Sequence, residues 1–266
     1  MSKMDLKRLL TRIREERPLI HNITNYVVMN FTANTLLAMG ASPVMAHAPN
    51  EVEEMVSLAR ALVINIGTLS NPWIEAMLLA GKKANEKGLP IVFDPVGSGA
   101  TSLRTATTRR IVNDLKPSII RGNASEILSI GSSGTVTKGV DSLHDVDQVA
   151  EMARATASQT GSVVAVTGKI DLITDGTRVI RCRNGHPLMG RVTGTGCAAT
   201  ATIAAFAAVT PDAIEAAAAG LAFFGLAGEM AAAKAQSPGS FMIALIDALY
   251  DMGPGDLQAH ALLKEG

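Results

Sequence analysis

Aromatic residues, cysteines and net charge are what this sequence has least of. Only 3% of its 266 residues are aromatic, there are two cysteines, and 24 Lys and Arg balance 24 Asp and Glu. Because a chain without net charge creates no field that draws it to nucleic acid or an anionic membrane, we expect neither as a partner. The cysteines, Cys182 and Cys197, allow one disulfide at most, which is typical of a reducing compartment.

Apolar segments of the kind that direct export or span a membrane are also scarce. The first residues, Met1 to Arg17, are charged rather than apolar, which predicts a cytoplasmic location. Val192 to Pro211 has no charge and approaches the roughly 20 residues that a membrane span needs. Its glycines near one end and its proline at the other favour a helix buried in a soluble core.

Short apolar, β-branched runs alternate with longer helical patterns, which predicts an α/β fold with a mostly parallel central sheet flanked by helices. The predicted strands are Leu19–Ile20, Pro43–Met45, Ala61–Ile66, Ile91–Phe93, Ser118–Ile120, Val163–Val166, Leu172–Thr174 and Val179–Cys182. After Thr195 the sequence becomes alanine-rich, and we predict only helices there, at 197–209, 211–234, 240–251 and from 255. No repeat or linker divides residues 1–266, so a single domain is expected.

Two helix starts have recognisable capping residues. Asn50 and Glu53 have the spacing of a capping box and predict a helix at about 51–60. Asn71 followed by Pro72 predicts a cap with proline at the first helical position, and a helix at about 72–87.

Polar residues and glycines follow the predicted strands, at the edge of the sheet where open α/β folds bind ligands. One such segment would be explained by turn formation alone. Seven together predict a ligand site; they are His21–Asn25, Ala46–His47, Asn65–Thr68, Asp94–Gly99, Arg121–Asn123, Thr167–Lys169 and Gly194–Cys197.

The segment from Thr193 to Cys197 opens the alanine-rich helix with two glycines, which predicts a phosphate site at a helix N-terminus. No phosphate loop ending in Gly-Lys-Ser/Thr occurs in the sequence, and this excludes an ordinary P-loop nucleotide triphosphatase. Gly194 to Ala199 fits a dinucleotide-binding fingerprint. However, the acidic residue about 20 positions on, Glu215, lies in a predicted helix, which disfavours an oxidoreductase.

Asp94 and Glu126 are candidate Mg²⁺ ligands, because this cation binds few carboxylates together with phosphate oxygens. The alternatives are a turn-forming role for Asp94 and a capping pair of Asn123 with Glu126. Arg121 offers a planar, charged fork for a phosphate, or alternatively forms a surface salt bridge.

Cys197 has two interpretations. It is either inert packing or, with its pKa lowered by the helix dipole, a polar or basic neighbour of a substrate hydroxyl. Met45 ends an apolar strand and belongs by default to the core, although a thioether also suits packing against a flat sulfur-containing ring. His21 and His47 lack the spacing of metal ligands, and we expect structural roles for both.

Taken together, these segments resemble the hydroxyethylthiazole kinases, thiamine-salvage enzymes of the ribokinase-like fold. The matching stretches are Pro18–Tyr26, Asn34–Asn50, Gly67–Ser70, Phe93–Ala100, Ile119–Glu126, Val166–Lys169 with Asp175-Gly176, and Gly190–Ala198. The resemblance implies that the γ-phosphate of ATP is moved to the hydroxyl of 4-methyl-5-(2-hydroxyethyl)thiazole, with Mg²⁺ as cofactor. It also implies a homotrimer with active sites between subunits.

The resemblance assigns roles to individual residues. Arg121 and Thr167 match ATP-contacting positions, and Met45 and Gly194 match substrate-contacting positions, with Asn25 and Gly67 as neighbours. Asp94 and Glu126 resemble the magnesium-organising acids of the superfamily.

Cys197 occupies the position where most ribokinase-like kinases have an Asp that acts as base. The thiazole kinases resemble this chain in having cysteine there. Whether Cys197 is a base or only positions the hydroxyl is open at this point.

Several other functions fit the same sequence patterns. One is a ribokinase-like kinase for another small alcohol, such as a hydroxymethylpyrimidine or a sugar. Another is an ATP-dependent dehydratase that repairs hydrated nicotinamide cofactors. A third, outside catalysis, is a nucleotide-sensing or thiazole-binding module without turnover.

Overall fold

A nine-stranded mixed sheet runs through the part of the chain that the computed structural model describes, residues 4–131 and 146–266. Its strands are β1 (Leu19–Ile23), β2 (Ser42–Val44), β3 (Ala61–Asn65), β4 (Ile91–Asp94), β5 (Ile119–Asn123), β6 (Val163–Thr167), β7 (Asp171–Thr174), β8 (Val179–Cys182) and β9 (Leu263–Glu265). Their order is β2-β1-β3-β4-β5-β6-β7-β8-β9. The pairs from β2 to β6 are parallel and those from β6 to β9 antiparallel, so the predicted mostly parallel sheet is confirmed.

Helices cover both faces of this sheet. They are α1 (Leu6–Glu16), α2 (Met29–Met39), α3 (Val52–Leu58), α4 (Asn71–Glu86), α5 (Ser102–Leu115), α6 (Ala124–Gly131), α7 (Val146–Thr160), α8 (Thr195–Ala207), α9 (Ala213–Lys234), α10 (Pro238–Asp251) and α11 (Pro254–His260). Helices α3 to α7 pack on one face, and α1, α2 and α8 to α11 on the other. The buried strands supply both cores, because successive side chains of a strand point to opposite faces. In β3, for example, Leu62 and Ile64 enter one core and Val63 enters the other.

The alanine-rich helices α8 and α9 pack with their backbones close together. A Cβ added at Gly220 of α9 would lie 2.8 Å from the Cα of Ile203 in α8. Small side chains allow this approach, and the residues of α8 from Ala198 to Ala207 are all buried. The charge-free segment is therefore a core helix, as expected. Helix α9 is long and apolar enough to cross a membrane, but 78% of its most apolar window is buried inside the protein.

The prediction that no strand follows Thr195 is wrong. Strand β9, Leu263–Glu265, pairs antiparallel with β8. Its three residues include Lys264 and Glu265 and have no apolar pattern, so the sequence carries no signal for it. Backbone pairing holds the segment, including a 3.0 Å hydrogen bond that the amide of Gly266 donates to the carbonyl of Val179.

The predicted helix starts are also corrected. Helix α3 follows Glu51 rather than Asn50 and has no side-chain cap. A turn replaces the expected capping box, because the amides of Glu51 and Val52 both donate to the carbonyl of Ala48. Helix α4 begins one residue earlier than predicted, at Asn71, so that Ser70 occupies the cap position.

Strand ends differ from the prediction where they bear on the site. Strand β1 continues to Ile23 and β5 to Asn123, so His21 and Arg121 lie within strands rather than after them. Strand β2 ends at Val44, so Met45 follows it.

Candidate active site

The polar residues predicted to form a ligand site do meet at one edge of the sheet. Asn65, Asp94 and Thr167 end β3, β4 and β6, Arg121 lies near the end of β5, and Asn25 follows β1. Because these strands are parallel neighbours, their carboxyl ends are brought side by side, opposite the N-terminus of α8.

A hydrogen-bonded network centred on Asn65 occupies this edge. The Asn65 amide nitrogen donates to Asp94 Oδ2 at 2.8 Å and to Cys197 Sγ at 3.2 Å. Its oxygen accepts from Asn25 Nδ2 and from the Gly67 amide, both at 2.9 Å. Asn25 Nδ2 also lies 3.5 Å from Cys197 Sγ. The sulfur therefore faces two N–H donors, and its position is set by two buried amides.

Asp94 is completely buried and only partly satisfied. Its Oδ2 accepts a 3.0 Å hydrogen bond from Thr200 Oγ1, in addition to the bond from Asn65, whereas its Oδ1 has no hydrogen-bond partner among the residues that the structure describes. Burial raises the pKa of this carboxyl to about 6, and the positive charge of Arg121 opposes the rise. An unpaired buried acceptor of this kind suits a proton or a cation.

Cys197 is a neutral thiol, not an activated one. Burial, with the nearby Asp94 charge as the next cause, raises the pKa of Cys197 to about 12. Of the two interpretations of Cys197, the one in which the helix dipole lowers its pKa is therefore wrong, because desolvation and a neighbouring carboxylate raise it.

Arg121 connects β5 to α8. Its Nη2 donates to Thr167 Oγ1 at 2.5 Å, and its Nη1 lies 3.9 Å from Asp94 Oδ2. Only 13% of the Arg121 side chain and 1% of that of Asp94 is exposed, so the alternative of a surface salt bridge is wrong. A Cβ at Gly196 would lie 2.6 Å from Nη1, which means that the guanidinium packs directly on the first turn of α8.

The first turn of α8 has no side-chain cap. Gly194 is the N-cap residue at φ +88°, and the first helical bond runs from the amide of Ala198 to the carbonyl of Gly194 at 2.8 Å. The amides of Thr195, Gly196 and Cys197 precede that bond, so they have no acceptor within the helix. With the Arg121 guanidinium beside them, they form an electropositive end suited to an anion.

A cavity of about 650 Å³ opens beside this turn. Arg121, Thr167 and Gly196 lie at its polar end. The remaining wall is largely apolar and includes Pro187, Met189, Leu221 and Phe224. These four residues were not predicted from the sequence, because they lie on a 3₁₀ turn, Pro187–Arg191, and inside α9 rather than after strands. The size and mixed lining fit a nucleotide.

Asp171 lines the same cavity. Its Oδ1 accepts a 2.9 Å hydrogen bond from the amide of Gly168, which closes the turn between β6 and β7. Burial raises the pKa of Asp171 to about 6, opposed by that hydrogen bond and by the charge of Arg121. No pattern in the sequence marks Asp171 as a site residue.

Glu126 and Asn123 cap the start of α6 reciprocally. Glu126 Oε2 accepts from the Asn123 amide at 2.8 Å, and Asn123 Oδ1 accepts from the Glu126 amide at 2.9 Å. Glu126 Oε1 also accepts from the amide of Gly97, in the turn after Asp94. The capping interpretation is thus confirmed. The Glu126 carboxylate additionally raises the pKa of Asp94, so the two acids are close enough to interact.

Two candidate substrate residues lie around the network without joining it. Gly194 packs against the side chains of Val28 and Phe31. Met45 is half-buried after the edge strand β2 and makes no hydrogen bond to the network.

His21 has the hydrogen-bonding structural role that the sequence predicted, whereas no hydrogen-bond partner for the buried Nδ1 of His47 is found among the described residues. His21 is buried and donates from Nε2 to the carbonyl of Ala46 at 2.8 Å. The rings of His47 and Trp73 lie 4.6 Å apart. In the described ranges no three His, Cys, Asp or Glu side chains form a metal-binding group.

Solved structures share this architecture. The pyridoxal kinase of Staphylococcus aureus in complex with AMP-PCP superposes with a TM-score of 0.63 at 17% identity, covering 80% of this chain and 88% of that one. A hydroxyethylthiazole kinase structure from Pyrococcus horikoshii OT3 reaches a TM-score of 0.91 at 44% identity over 98% of both chains. The sheet and its flanking helices therefore form a ribokinase-like fold.

Sequence comparisons identify the family. The sequence model of the hydroxyethylthiazole kinase family matches residues 10–254. The hydroxyethylthiazole kinase of Desulfotalea psychrophila is 59% identical over 256 residues, 96% of this chain and 94% of that protein. That of Moorella thermoacetica is 56% identical over 246 residues, 92% of each. The chain belongs to the hydroxyethylthiazole kinase family.

Proposed function

We propose that this protein transfers the γ-phosphoryl group of ATP to the hydroxyl of 4-methyl-5-(2-hydroxyethyl)thiazole, giving the thiazole phosphate and ADP in thiamine salvage. The observation that carries the proposal is the uncapped first turn of α8. It lies between the nucleotide-sized cavity and the Cys197 thiol, with Arg121 against it. A phosphoryl group that moves from the cavity to an alcohol beside Cys197 passes this turn.

ATP occupies the cavity with its phosphates towards α8. Arg121 and Thr167 bind these phosphates, since their side chains are already joined by a hydrogen bond at the polar end of the cavity. The apolar wall of the cavity packs against the adenine base of ATP. As the bond to ADP breaks and the bond to the alcohol oxygen forms, the amides of Thr195 to Cys197 donate hydrogen bonds to the phosphoryl oxygens and stabilise the charge that they carry in the transition state.

The thiazole alcohol binds on the other side of this turn, in contact with Met45 and Gly194. Its hydroxyl lies against Cys197. Because the pKa of this thiol is about 12, the thiol orients the hydroxyl rather than removing its proton beforehand. Phosphoryl transfer has a loose transition state, so alignment and charge stabilisation outweigh early deprotonation.

Mg²⁺ fits the acidic residues of the site. Asp94 Oδ1 is buried without a partner, and each Glu126 oxygen accepts only one backbone hydrogen bond. Asp94 and Glu126 would hold the ion directly or through water, which suits a cation that takes few protein ligands. When bound, the ion neutralises charge on the ATP phosphates.

We extend the proposal to the assembly and its location. The whole chain acts as one kinase domain in the cytoplasm, and three copies form a homotrimer with active sites between subunits. Tyr26 and Val27, which are 64% and 65% exposed, directly follow Asn25 of the network. Apolar side chains exposed at the rim of the site support an interface there.

The test is ADP release by the purified protein with MgATP, measured with and without the thiazole alcohol. We expect ADP to form in equal amount with thiazole phosphate, and only when the alcohol is present. ADP formation with a hydroxymethylpyrimidine or a sugar instead would identify another alcohol kinase, and formation only with a hydrated nicotinamide cofactor would identify a dehydratase. Thermal stabilisation by both ligands without product would identify a binding module.

A further inference from the structure

Arg104, on the first turn of α5, holds the backbone of two other segments together. Its Nη1 donates to the carbonyl oxygens of Ile66 and Val96, and its Nη2 donates to that of Gly67. All three distances are 2.7 Å. The guanidinium is part-buried, and the three hydrogen bonds join the segment after β3 to the segment after β4.

The turn after β4 is shaped around this side chain. Gly97 adopts φ +70°, which favours glycine. A Cβ there would lie 3.2 Å from the Arg104 Cδ. The backbone amide of Arg104 donates to Oγ1 of Thr101, the N-cap residue of α5. This hydrogen bond fixes the start of the helix that carries Arg104.

The segment that Arg104 holds is part of the alcohol end of the site. The amide of Gly67 donates to Asn65 Oδ1, and Asn65 donates to Cys197 Sγ. A Cβ at Gly67 would lie 2.6 Å from Asn25 Nδ2, so the Asn25 amide packs directly on this backbone. Gly67 is therefore enclosed between Asn25 on one side and the Arg104 guanidinium on the other.

The wall of the nucleotide cavity does not share this support; the link from Arg104 to the proposed metal ligands is indirect, through Val96 and the amide of Gly97 that donates to Glu126. The residues that line the large cavity do not include Arg104 or any of its three acceptors. A disturbance at Arg104 reaches Asn65 and Cys197 through the backbone of residues 66 and 67, but it meets no residue of the cavity wall directly.

We propose that Arg104 is a positioning residue for the phosphoryl acceptor. By fixing the carbonyls after β3 and β4, it sets the distance between Asn65 and Cys197 and hence the place of the substrate hydroxyl. This inference rests on the proposed function, because it assigns the alcohol to the Cys197 end of the site.

The test compares Arg104→Gln and Arg104→Ala with Arg110→Gln. Arg110 lies on the same helix, but its side chain is 59% exposed and pairs only with Asp114, at 3.6 Å, which makes it a matched control. For the Arg104 variants we expect the KM of the alcohol to rise and kcat to fall, each by about tenfold, because misplaced reacting groups lose rate steeply. The KM of ATP should stay within about twofold, because the cavity wall is not disturbed.

Chemical rescue separates positioning from simple loss of stability. Millimolar guanidinium should restore part of the turnover of Arg104→Ala by occupying the vacated space, and should do nothing for Arg110→Gln. If Arg104→Ala does not fold, Arg104→Gln provides the KM comparison. Arg104→Lys then replaces the rescue experiment, and its single ammonium group should bring the KM of the alcohol only part of the way back to the wild-type value.

Each failure has its own signature. A wild-type protein without turnover of the alcohol would reject the proposed function and this inference with it. With an active wild type, equal changes in both KM values, or a lower melting temperature with unchanged KM values, would overturn the positioning role alone.

Discussion

The alcohol end and the nucleotide end of this site are built in different ways. At the alcohol end, Asn25, Asn65 and Asp94 form a buried network of side chains around the Cys197 thiol. At the nucleotide end, a cavity of about 650 Å³ is lined by glycines, apolar side chains and a few polar groups. One end is fixed by internal hydrogen bonds, and the other is open and leaves its donors to a ligand.

This difference indicates where geometry limits the reaction. A small acceptor has few contacts, so the protein must set its position through buried polar groups that are held by hydrogen bonds to one another. A nucleotide brings many contacts of its own. Arg121 is the side chain that belongs to both ends, since it touches Thr167 and Asp94. Removing the Arg121 side chain is therefore the most severe test of the difference between the alcohol end and the nucleotide end.

Arg121→Ala should have the largest effect. It removes the charged donor from the ATP phosphates, and we expect kcat/KM for ATP to fall by about 100- to 1000-fold, as when a preorganised transition-state donor is lost. Steady-state kinetics with varied ATP, with Arg110→Ala as the exposed control and a melting curve to confirm folding, measures this. An unchanged ATP dependence in a folded variant would remove Arg121 from the mechanism.

Gly196→Ala should move the same guanidinium without removing it. The new methyl group would meet Arg121 Nη1 at 2.6 Å, and the flexible end of the arginine must shift. We expect kcat/KM for ATP to fall by about tenfold, while the helix gains up to about 1 kcal/mol because alanine replaces glycine in it. In a protein that already carries Arg121→Ala, Gly196→Ala should lower kcat/KM for ATP almost no further. Full additivity in this double-mutant cycle would show that the two residues act separately.

Cys197→Asp tests the alcohol end by itself. The carboxylate keeps an acceptor for Asn25 and Asn65 and also accepts the hydroxyl proton, so turnover should stay within about tenfold of wild type. Cys197→Ala, which lacks the acceptor, should turn over the alcohol more slowly than both wild type and Cys197→Asp. A folded Asp variant without any turnover would show that the thiol itself is required.

Asp171→Asn should have the smallest effect, and it concerns stability at the rim of the cavity. Since burial raises the pKa of Asp171 from its ordinary value of 3.8 to about 6, the folded protein holds this proton more tightly than the unfolded chain does. The Asp171 carboxyl therefore contributes most to the free energy of unfolding at low pH. This contribution is lost as the pH rises towards and through the pKa of the folded protein.

The neutral variant should match wild type at about pH 4 and exceed its unfolding free energy by about 1 to 2 kcal/mol at pH 7 and above. Urea unfolding across this range measures the difference, with Asp251→Asn as an exposed control. A difference in unfolding free energy between Asp171→Asn and wild type that does not change with pH would show that ionised Asp171 does not destabilise the folded protein.

The two ends also differ in how far the sequence predicted them. Asp94, Arg121 and Thr167 were found because glycines and polar residues at strand ends are visible as a pattern, and the structure brings them together. Their roles in binding ATP and metal stay predictions. The central place of Asn65 depends on distances between three segments, which no local pattern reveals.

The misses have physical reasons as well. The apolar wall of the cavity includes Leu221 and Phe224 of α9, and apolar residues in a core helix look the same whether they face a ligand or the interior. Of the two interpretations of Cys197, the one with a lowered pKa is wrong, because the sequence shows the helix start but not the buried Asp94 beside it. Strand β9 forms only because β8 offers it a free edge.

The most direct test is a crystal structure with an unreactive ATP analogue and the thiazole alcohol bound together. We predict that the γ-phosphate lies within hydrogen-bonding distance of the amides of Thr195 to Cys197 and of Arg121, with the hydroxyl between it and Cys197. A γ-phosphate bound away from the first turn of α8, with the alcohol elsewhere, would contradict the central claim that this helix end stabilises the phosphoryl group during its transfer to the alcohol.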